Sequence, residues 1–436
     1  MNIKKITLLA GLSLFSTQTY AANWLSLQGT EPEGQAPRAK IWGFVQPEYQ
    51  STSGTNLPTV AGFGFSGQEA VFNQIRPDNK TDNSFNIRRA RIGVRGTGFP
   101  LDPKVNYFLL TELGNNGITK FAGGGAHITD ASITLNHIPG AKIRVGLFKT
   151  PSSEEGLQAI HVFNYINFTS GTDQLLLERY TSGDGSDTQS ANGPIQSVGA
   201  FRDQGVQVFD TFKVNNWEHS YAVMYGNGNG INTGDNDDNK DTYLYWSSEL
   251  VYGGKGGRRQ GMKLFAWANS GKRTLTAAGA GEYDRDRSGL GITYLKGKYR
   301  AAAEYVNAEG MIFNGSDGGA IPGSRNNADT VTASLNVLPN GEADSYYVDF
   351  GYKVIPNLEL DLRYDVLNRG TETSAGERTF DTVTLGAQYF LNKKSRITVN
   401  YELRNQEAPN LASTATPNLI ADSLDDRLSI QLLTIF

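Results

Sequence analysis

Residues 357–367 read NLELDLRYDVL, with Leu358, Leu360, Leu362, Tyr364 and Val366 on one parity and Asn357, Glu359, Asp361, Arg363 and Asp365 on the other. Successive side chains of a strand point to opposite faces, so this segment has one apolar and one charged face. Residues 395–404, SRITVNYELR, repeat the pattern, as do DSYYVDFGYKV and FDTVTLGAQYF. No segment of comparable quality has a helical period. Residues 86–96, NIRRARIGVRG, sharpen the constraint: Ala90, Ile92 and Val94 alternate with Arg89, Arg91 and Arg95. A face carrying that many guanidiniums must be wet. Arg88 falls on the apolar parity and is expected at a rim.

Sixteen such segments lie along the chain, at 39–50, 84–96, 103–113, 126–136, 141–149, 203–212, 217–225, 241–252, 261–269, 288–296, 298–306, 343–354, 357–367, 380–391, 395–404 and 427–436. Most are near the length of about 9–11 residues that a tilted strand needs to cross a bilayer. Short turns (GTGFPLDP, HIPGA, KVNN, LKGK, VIPN, LNKKS and the longer GGKGGRRQ) alternate with long polar connections such as 51–83, 150–202, 307–342 and 405–426. Short periplasmic turns and long external loops give this rhythm in a transmembrane antiparallel β-barrel of about sixteen strands. An even strand number puts both ends of the barrel, 39–436, on the periplasmic side, with 22–38 as a short periplasmic N-terminal segment. The last residues, RLSIQLLTIF, stop inside a strand, with Phe436 on the face of Ile430 and Leu432.

The first residues set the compartment. Lys4 and Lys5 precede an apolar run from Ile6 to Phe15, and Thr19-Tyr20-Ala21 supplies small residues for cleavage after Ala21. This is the layout of a secretory signal peptide, 1–21, directing the chain to the bacterial outer membrane. Its removal takes the formal net charge from −4 to −6, which argues against a nucleic-acid partner. No apolar run of about 18 residues follows, which excludes helical spans but not strands. With no cysteine, disulfides and thiol catalysis are excluded.

Parity assigns Arg89, Arg91, Arg95, Lys104, Lys142 and Arg144 to the lumen, with Glu112 and Asp130 among them. Asp349, Glu359, Asp361 and Asp365 then form an acidic wall elsewhere, with Lys353 and Arg363. Such walls set ion preference, or they are ordinary solvated faces that balance; a slip of one residue in register would exchange them. The longest connection, 150–202, holds the apolar stretches IHVFNYINF and QLLLERY. Folded into the lumen, it would place Glu154, Glu155, Asp173, Glu178 and Arg179 at the narrowest point, opposing the basic wall. Left outside, it would pack at a subunit contact.

RRARIGVRG (88–96), VNYFLLTELG (105–114), ITDASITL (128–135), IRVGLFKTP (143–151) and RDQGVQV (202–208) together resemble the phosphate-selective porin O/P family, in order and spacing. They cover roughly the N-terminal half. The resemblance implies a homotrimer of sixteen-stranded barrels with the third loop folded inward. A terminal Phe436 is similar to the assembly signal of outer-membrane barrels. Members selective for phosphate carry a lysine-rich constriction, but here no lysine lies between Lys149 and Arg202, and SSEEGLQ replaces the family's aromatic-Gly-Leu-Glu segment.

The expected function is a water-filled channel for small hydrophilic solutes and ions, with outer-membrane lipid around it, no cofactor and no metal, anion-preferring in the manner of the phosphate porins if the arginine wall lines the path. The alternatives are an outer-membrane barrel enzyme or a barrel sheathing a partner protein. His127, His137, His161 and His219 are scattered, with no spacing for zinc or a catalytic triad. GDNDDNKD (234–241) has alternating acids, but Lys240 stands where a calcium loop needs glycine.

Overall fold

The computed structural model describes residues 23–436, except 32–36, 62–65, 68–69, 74–81, 99–100, 117, 120–124, 179–198, 232–233, 236, 255–257, 276–280 and 314–336. The expected signal peptide and Arg179 lie outside the described residues. The strands are β1 (Lys40–Ser51), β2 (Asn83–Thr97), β3 (Val105–Glu112), β4 (His127–Leu135), β5 (Lys142–Lys149), β6 (Arg202–Val214), β7 (Trp217–Gly226), β8 (Asp241–Gly253), β9 (Gln260–Leu275), β10 (Gly281–Lys296), β11 (Tyr299–Glu309), β12 (Ile312–Phe313), β13 (Val337–Leu338), β14 (Glu342–Ile355), β15 (Leu358–Arg369), β16 (Arg378–Phe390), β17 (Ser395–Glu407) and β18 (Arg427–Ile435). All but β12 and β13, a small pair of their own, form one closed barrel of antiparallel neighbours in chain order, and β18 pairs back onto β1. These are the sixteen expected strands.

Alternation sorts the two faces. On β15, Glu359, Asp361, Arg363 and Asp365 are buried, while Leu360 and Leu362 on the other parity are each 48% exposed. The same division runs along β17, where Thr398, Asn400 and Glu402 are buried and Val399, Tyr401 and Leu403 exposed. The apolar face therefore points outward and the charged face into the lumen, the arrangement a strand needs in lipid.

Two departures from the expected pattern bear on the lumen charges. Arg88 and Arg89 are consecutive on β2, yet both are buried, whereas Phe85 and Ile87 are exposed. The ladder pairs Gln46 with Arg89 and Pro47 with Ile87, skipping Arg88. Pro47 has no N–H to give the ladder, and a bulge opposite it absorbs one residue of β2 and reverses the parity beyond. Arg88, expected at a lipid-side rim, thus points inward. The second departure is the β9–β10 hairpin, which continues to Leu275 and Gly281, well beyond the expected ends at 269 and 288. Its tip bears Lys272 and Glu282 on the outer face, 3.8 Å apart. That polarity reads as a loop in the sequence, but it belongs to a ladder rising past the apolar belt.

The seam between β1 and β18 depends on close approach. Gly43 accepts a hydrogen bond from the Phe436 N–H at 3.0 Å and donates to its carbonyl at 3.3 Å. A Cβ on Gly43 would stand 2.4 Å from the Arg91 carbonyl oxygen and 2.4 Å from the Phe436 ring. Gly43→Val is therefore expected to prevent closure, seen as loss of the heat-sensitive compact band on unheated gels. Gly125→Ala, where nothing lies within 4 Å, should keep that band. A compact band at normal yield from Gly43→Val would refute this account of the seam.

Candidate functional site

The lumen-facing side chains fall into two systems. The first lies on β2 to β6. Arg88 donates to Asn167 at 2.9 Å and meets Glu48 at 3.4 Å. Arg89 reaches, among the described residues, only the Gln46 side-chain oxygen, at 3.3 Å, and Arg91 donates through Nε to Glu112 at 2.7 Å. Arg202 grips Asp130 with Nε at 3.1 Å and Nη2 at 3.0 Å. Lys142 pairs with Asp210. Lys149 donates to the carbonyls of Gly156 at 2.9 Å and Gln158 at 2.5 Å, with no carboxylate partner among the described residues. Arg144 stacks over Phe209, 4.4 Å from the ring centre. Lys104 is placed differently from its expected lumen position: it lies half-buried in the turn one residue before β3.

Residues 23–31, read from the sequence as periplasmic, lie against this wall. A short helix, α1 (Trp24–Leu27), buries Trp24 and Leu25. Arg144 donates to the carbonyls of Leu25, at 2.9 Å, and Gln28. Arg95 donates to the carbonyls of Leu27 at 3.0 Å and Thr30 at 2.9 Å and pairs with Glu31. Two guanidiniums without a carboxylate on the wall are thus met by carbonyl oxygens and one acid from the head of the chain. Trp24 and Leu25 complete an interior apolar cluster with Leu157, Leu175, Phe209 and Trp267, which explains why a segment this short is held.

The second system joins the connection after β5 to the far wall. Its first turn, α2 (Glu154–Leu157), is capped by Ser153, whose Oγ accepts from the Gly156 N–H at 3.0 Å. Glu154 accepts from the Trp24 indole N–H at 2.8 Å and from Lys263 on β9 at 2.5 Å. Glu155 meets Arg363 on β15 at 3.3 Å and accepts from the Thr169 hydroxyl at 2.7 Å. Glu178 lies 3.0 Å from Arg273 on β9 and 2.9 Å from Arg285 on β10. Asp173 is half-buried and its N–H donates to the Thr169 carbonyl at 2.9 Å. Main-chain groups also reach lumen-facing residues: the Ile166 N–H donates to Asn400 at 2.8 Å and the Ser170 N–H to Asp365 at 2.8 Å. These acids do not oppose the β2 arginines, as their sequence positions suggested. Glu154, Glu155 and Glu178 pair with cations of β9, β10 and β15.

The acidic wall is likewise neutralised from within. Arg300 on β11 contacts Glu359 at 3.0 Å, Asp361 at 2.6 Å and Asp349. Arg258, from the β8–β9 turn, contacts Glu359 at 2.8 Å. Sequence reasoning passed over Lys263, Arg273, Arg285, Arg300 and Arg258. Arg273 and Arg285 were lost when β9 and β10 were read too short, and Arg258 because a turn residue has no parity to assign. Among the described residues Arg89, Arg144 and Lys149 on the β2–β5 side have no carboxylate partner, and neither have Arg287 on β10, which donates to carbonyls, and Arg396 on β17, which donates to Gln388 and the Phe163 carbonyl.

His161 sits in the connection after β5, between the rings of Trp42, 5.7 Å away, and Phe44, 5.3 Å away. Burial, with Arg396 and Lys149 nearby, pushes its imidazole down to about 3, so the ring is neutral at ordinary pH.

The family model described as phosphate-selective porin O and P matches residues 62–421. No match is found among curated proteins. Several solved structures share the fold. An anion-selective porin from Comamonas acidovorans is 13% identical, with a TM-score of 0.52, over 91% of this chain and 99% of that one. The outer-membrane channel DcaP of Acinetobacter baumannii is 15% identical, with a TM-score of 0.51, over 94% and 100%. A loop-deleted OmpT of Vibrio cholerae is 13% identical, with a TM-score of 0.50, over 91% and 99%.

The pairing pattern makes a direct prediction. Lys263→Met removes the cation facing buried Glu154, and a broken buried pair costs about 3–5 kcal/mol. Residues 150–178 should then be cut by protease faster than in the parent protein, with the barrel strands intact. An unchanged cleavage rate would mean that Lys263 does not hold this segment.

Proposed function

The chain belongs to the phosphate-selective porin O and P family of outer-membrane channels, and on that premise we propose a passive, anion-preferring porin for small hydrophilic solutes. The observation that carries the preference is the charge surplus on the β2–β5 wall. Strands β2 to β5 carry Arg88, Arg89, Arg91, Arg95, Lys142, Arg144 and Lys149 against Glu112 and Asp130, and among the described residues Arg89, Arg144 and Lys149 have no carboxylate partner. In a narrow low-dielectric passage such a surplus raises the local concentration of anions. Arg91, Arg95, Lys142 and the turn residue Lys104 add to the same side.

The connection after β5 is the constriction in this reading. Glu154, Glu155 and Glu178 fasten it to the far wall, and Asp173 and Arg179 complete its charged set. Phosphate selectivity is not part of the proposal, because this connection has no lysine between Lys149 and Arg202. The exposed apolar belt faces outer-membrane lipid. Export uses a signal peptide cleaved after Ala21, three copies assemble as a homotrimer, and Phe436 serves as the assembly signal. Intact mass measurement on protein from outer membranes should find a chain starting at Ala22 and an assembly of three. Deletion of Phe436 should lower the amount reaching the membrane; normal amounts would end that role.

The central test replaces Arg89 and Arg91 with glutamine. At 0.1 M salt, where the screening length is about 10 Å, the anion-to-cation permeability ratio from reversal potentials should fall by about threefold. At 1 M salt, with screening near 3 Å, the difference should largely vanish. An unchanged ratio in a folded barrel would remove these arginines from the conducting path.

A further inference from the structure

Between the N-terminal segment, the connection after β5 and the wall of β1 to β3 lies a cavity of about 410 Å³. Small-molecule sites run from about 300 to 1,000 Å³. Its lining is of two kinds. Arg91, Arg95, Lys149 and Arg202 bring positive charge. Trp42, Phe44, Phe108 and His161 bring ring faces, with Trp42 and Phe108 centred 6.0 Å apart. The two kinds are interleaved: the Arg91 guanidinium lies 5.9 Å from the Phe44 ring centre, and Arg95 lies 5.5 Å from that of Phe108.

This mixture discriminates among solutes. A bare inorganic anion gains from the cations but nothing from the rings, and it loses hydration against them. An uncharged apolar solute would displace water from the cations without replacing its hydrogen bonds. An anion with a flat apolar body meets both demands, its carboxylate on a guanidinium or ammonium and its ring against rings.

The donors for such a carboxylate are present. Glu31 and Asp130 also line the cavity, but they are engaged with Arg95 and Arg202. Arg91 holds Glu112 through Nε, and its terminal nitrogens have no hydrogen-bond partner among the described residues. Lys149 adds charge beside it, with its three N–H groups directed at the carbonyls of Gly156, Leu157 and Gln158. The Trp42 indole N–H is buried without a partner among the described residues. Such an N–H keeps its full desolvation cost until an acceptor arrives.

We propose that this cavity is a subsite for small aromatic carboxylates, which pass through the lumen by way of it. The subsite rests on the anion-preferring reading above and narrows it to a substrate class. The test uses the full-length mature protein in planar bilayers in potassium chloride, with benzoate, acetate or inorganic phosphate added. Benzoate should half-block the chloride current at a concentration at least about tenfold below that of acetate or phosphate. Cyclohexanecarboxylate should fall between benzoate and acetate, and benzylamine, which has the ring with the opposite charge, should not block. Trp42→Leu and Phe108→Leu should each shrink the benzoate-to-acetate gap to less than about threefold. Equal block by benzoate and acetate in the unaltered protein overturns the subsite and leaves the anion preference standing. Reversal potentials showing cation preference would overturn the reading on which it rests. The comparison of solutes on the unaltered protein decides the matter even where a substituted barrel fails to assemble.

Discussion

A peptide group in hydrocarbon has no water to bond with, so it must find its partner in the protein. Here that requirement is met by a ring: each barrel strand pairs with both neighbours, and β18 closes onto β1 with Phe44 opposite Ile435. The rest of the architecture follows from closure. A closed sheet has an inside, and with strict alternation every second residue must live there. Outward positions are filled by leucine, valine and aromatic residues, and inward positions collect the charge. The bulge beside Pro47 shows the rule at its limit. One missing N–H is accommodated by a single extra residue, and the ring carries an additional guanidinium inward as a result.

Once the charges are inside, their arrangement is governed by pairing in a confined space. Breaking such a pair is expensive because it strands a partner that has already lost its water. The far wall satisfies itself through Arg300 and also binds the connection after β5 through Lys263, Arg363, Arg273 and Arg285. On the β2–β5 side Arg89, Arg144 and Lys149 are met by carbonyl and amide oxygens, as are Arg287 on β10 and Arg396 on β17. What sets the β2–β5 side apart is its composition, seven Lys and Arg residues against Glu112 and Asp130, and the mildly acidic net charge of the chain does not reveal it.

Much of the barrel was legible in the sequence because alternation is a local signal. On β15 every lumen assignment from Glu359 to Asp365 is met by a buried side chain. What the sequence concealed was non-local or broke the period. Arg88 was misplaced because a bulge depends on the proline in the neighbouring strand. Arg273 and Arg285 were hidden because β9 and β10 leave the apolar belt, where outward residues turn polar and the two faces look alike. The acids Glu154, Glu155 and Glu178 were found, but their partners lie from 95 to 208 residues away, a relation no local pattern contains. The head of the chain gave too few residues for any period, and its burial depends on Arg95, Arg144 and an apolar cluster built from the whole ring.

Residues 23–31 occupy the inside of a ring whose sealing strand is the last one made. When β18 meets β1, whatever lies within is enclosed, and the only later entrance for the head of the chain is the mouth at which β1 begins. Captured early, against β2 and β5, the segment would act as a mandrel around which the remaining strands are wound. Threaded late, it would have to displace the water that Arg95 and Arg144 held until then. In either sequence of events, residues that belong to no strand would bear on the yield of finished barrels. Changes at Trp24 or Glu31 would then register as slow or incomplete biogenesis before they register as altered flow.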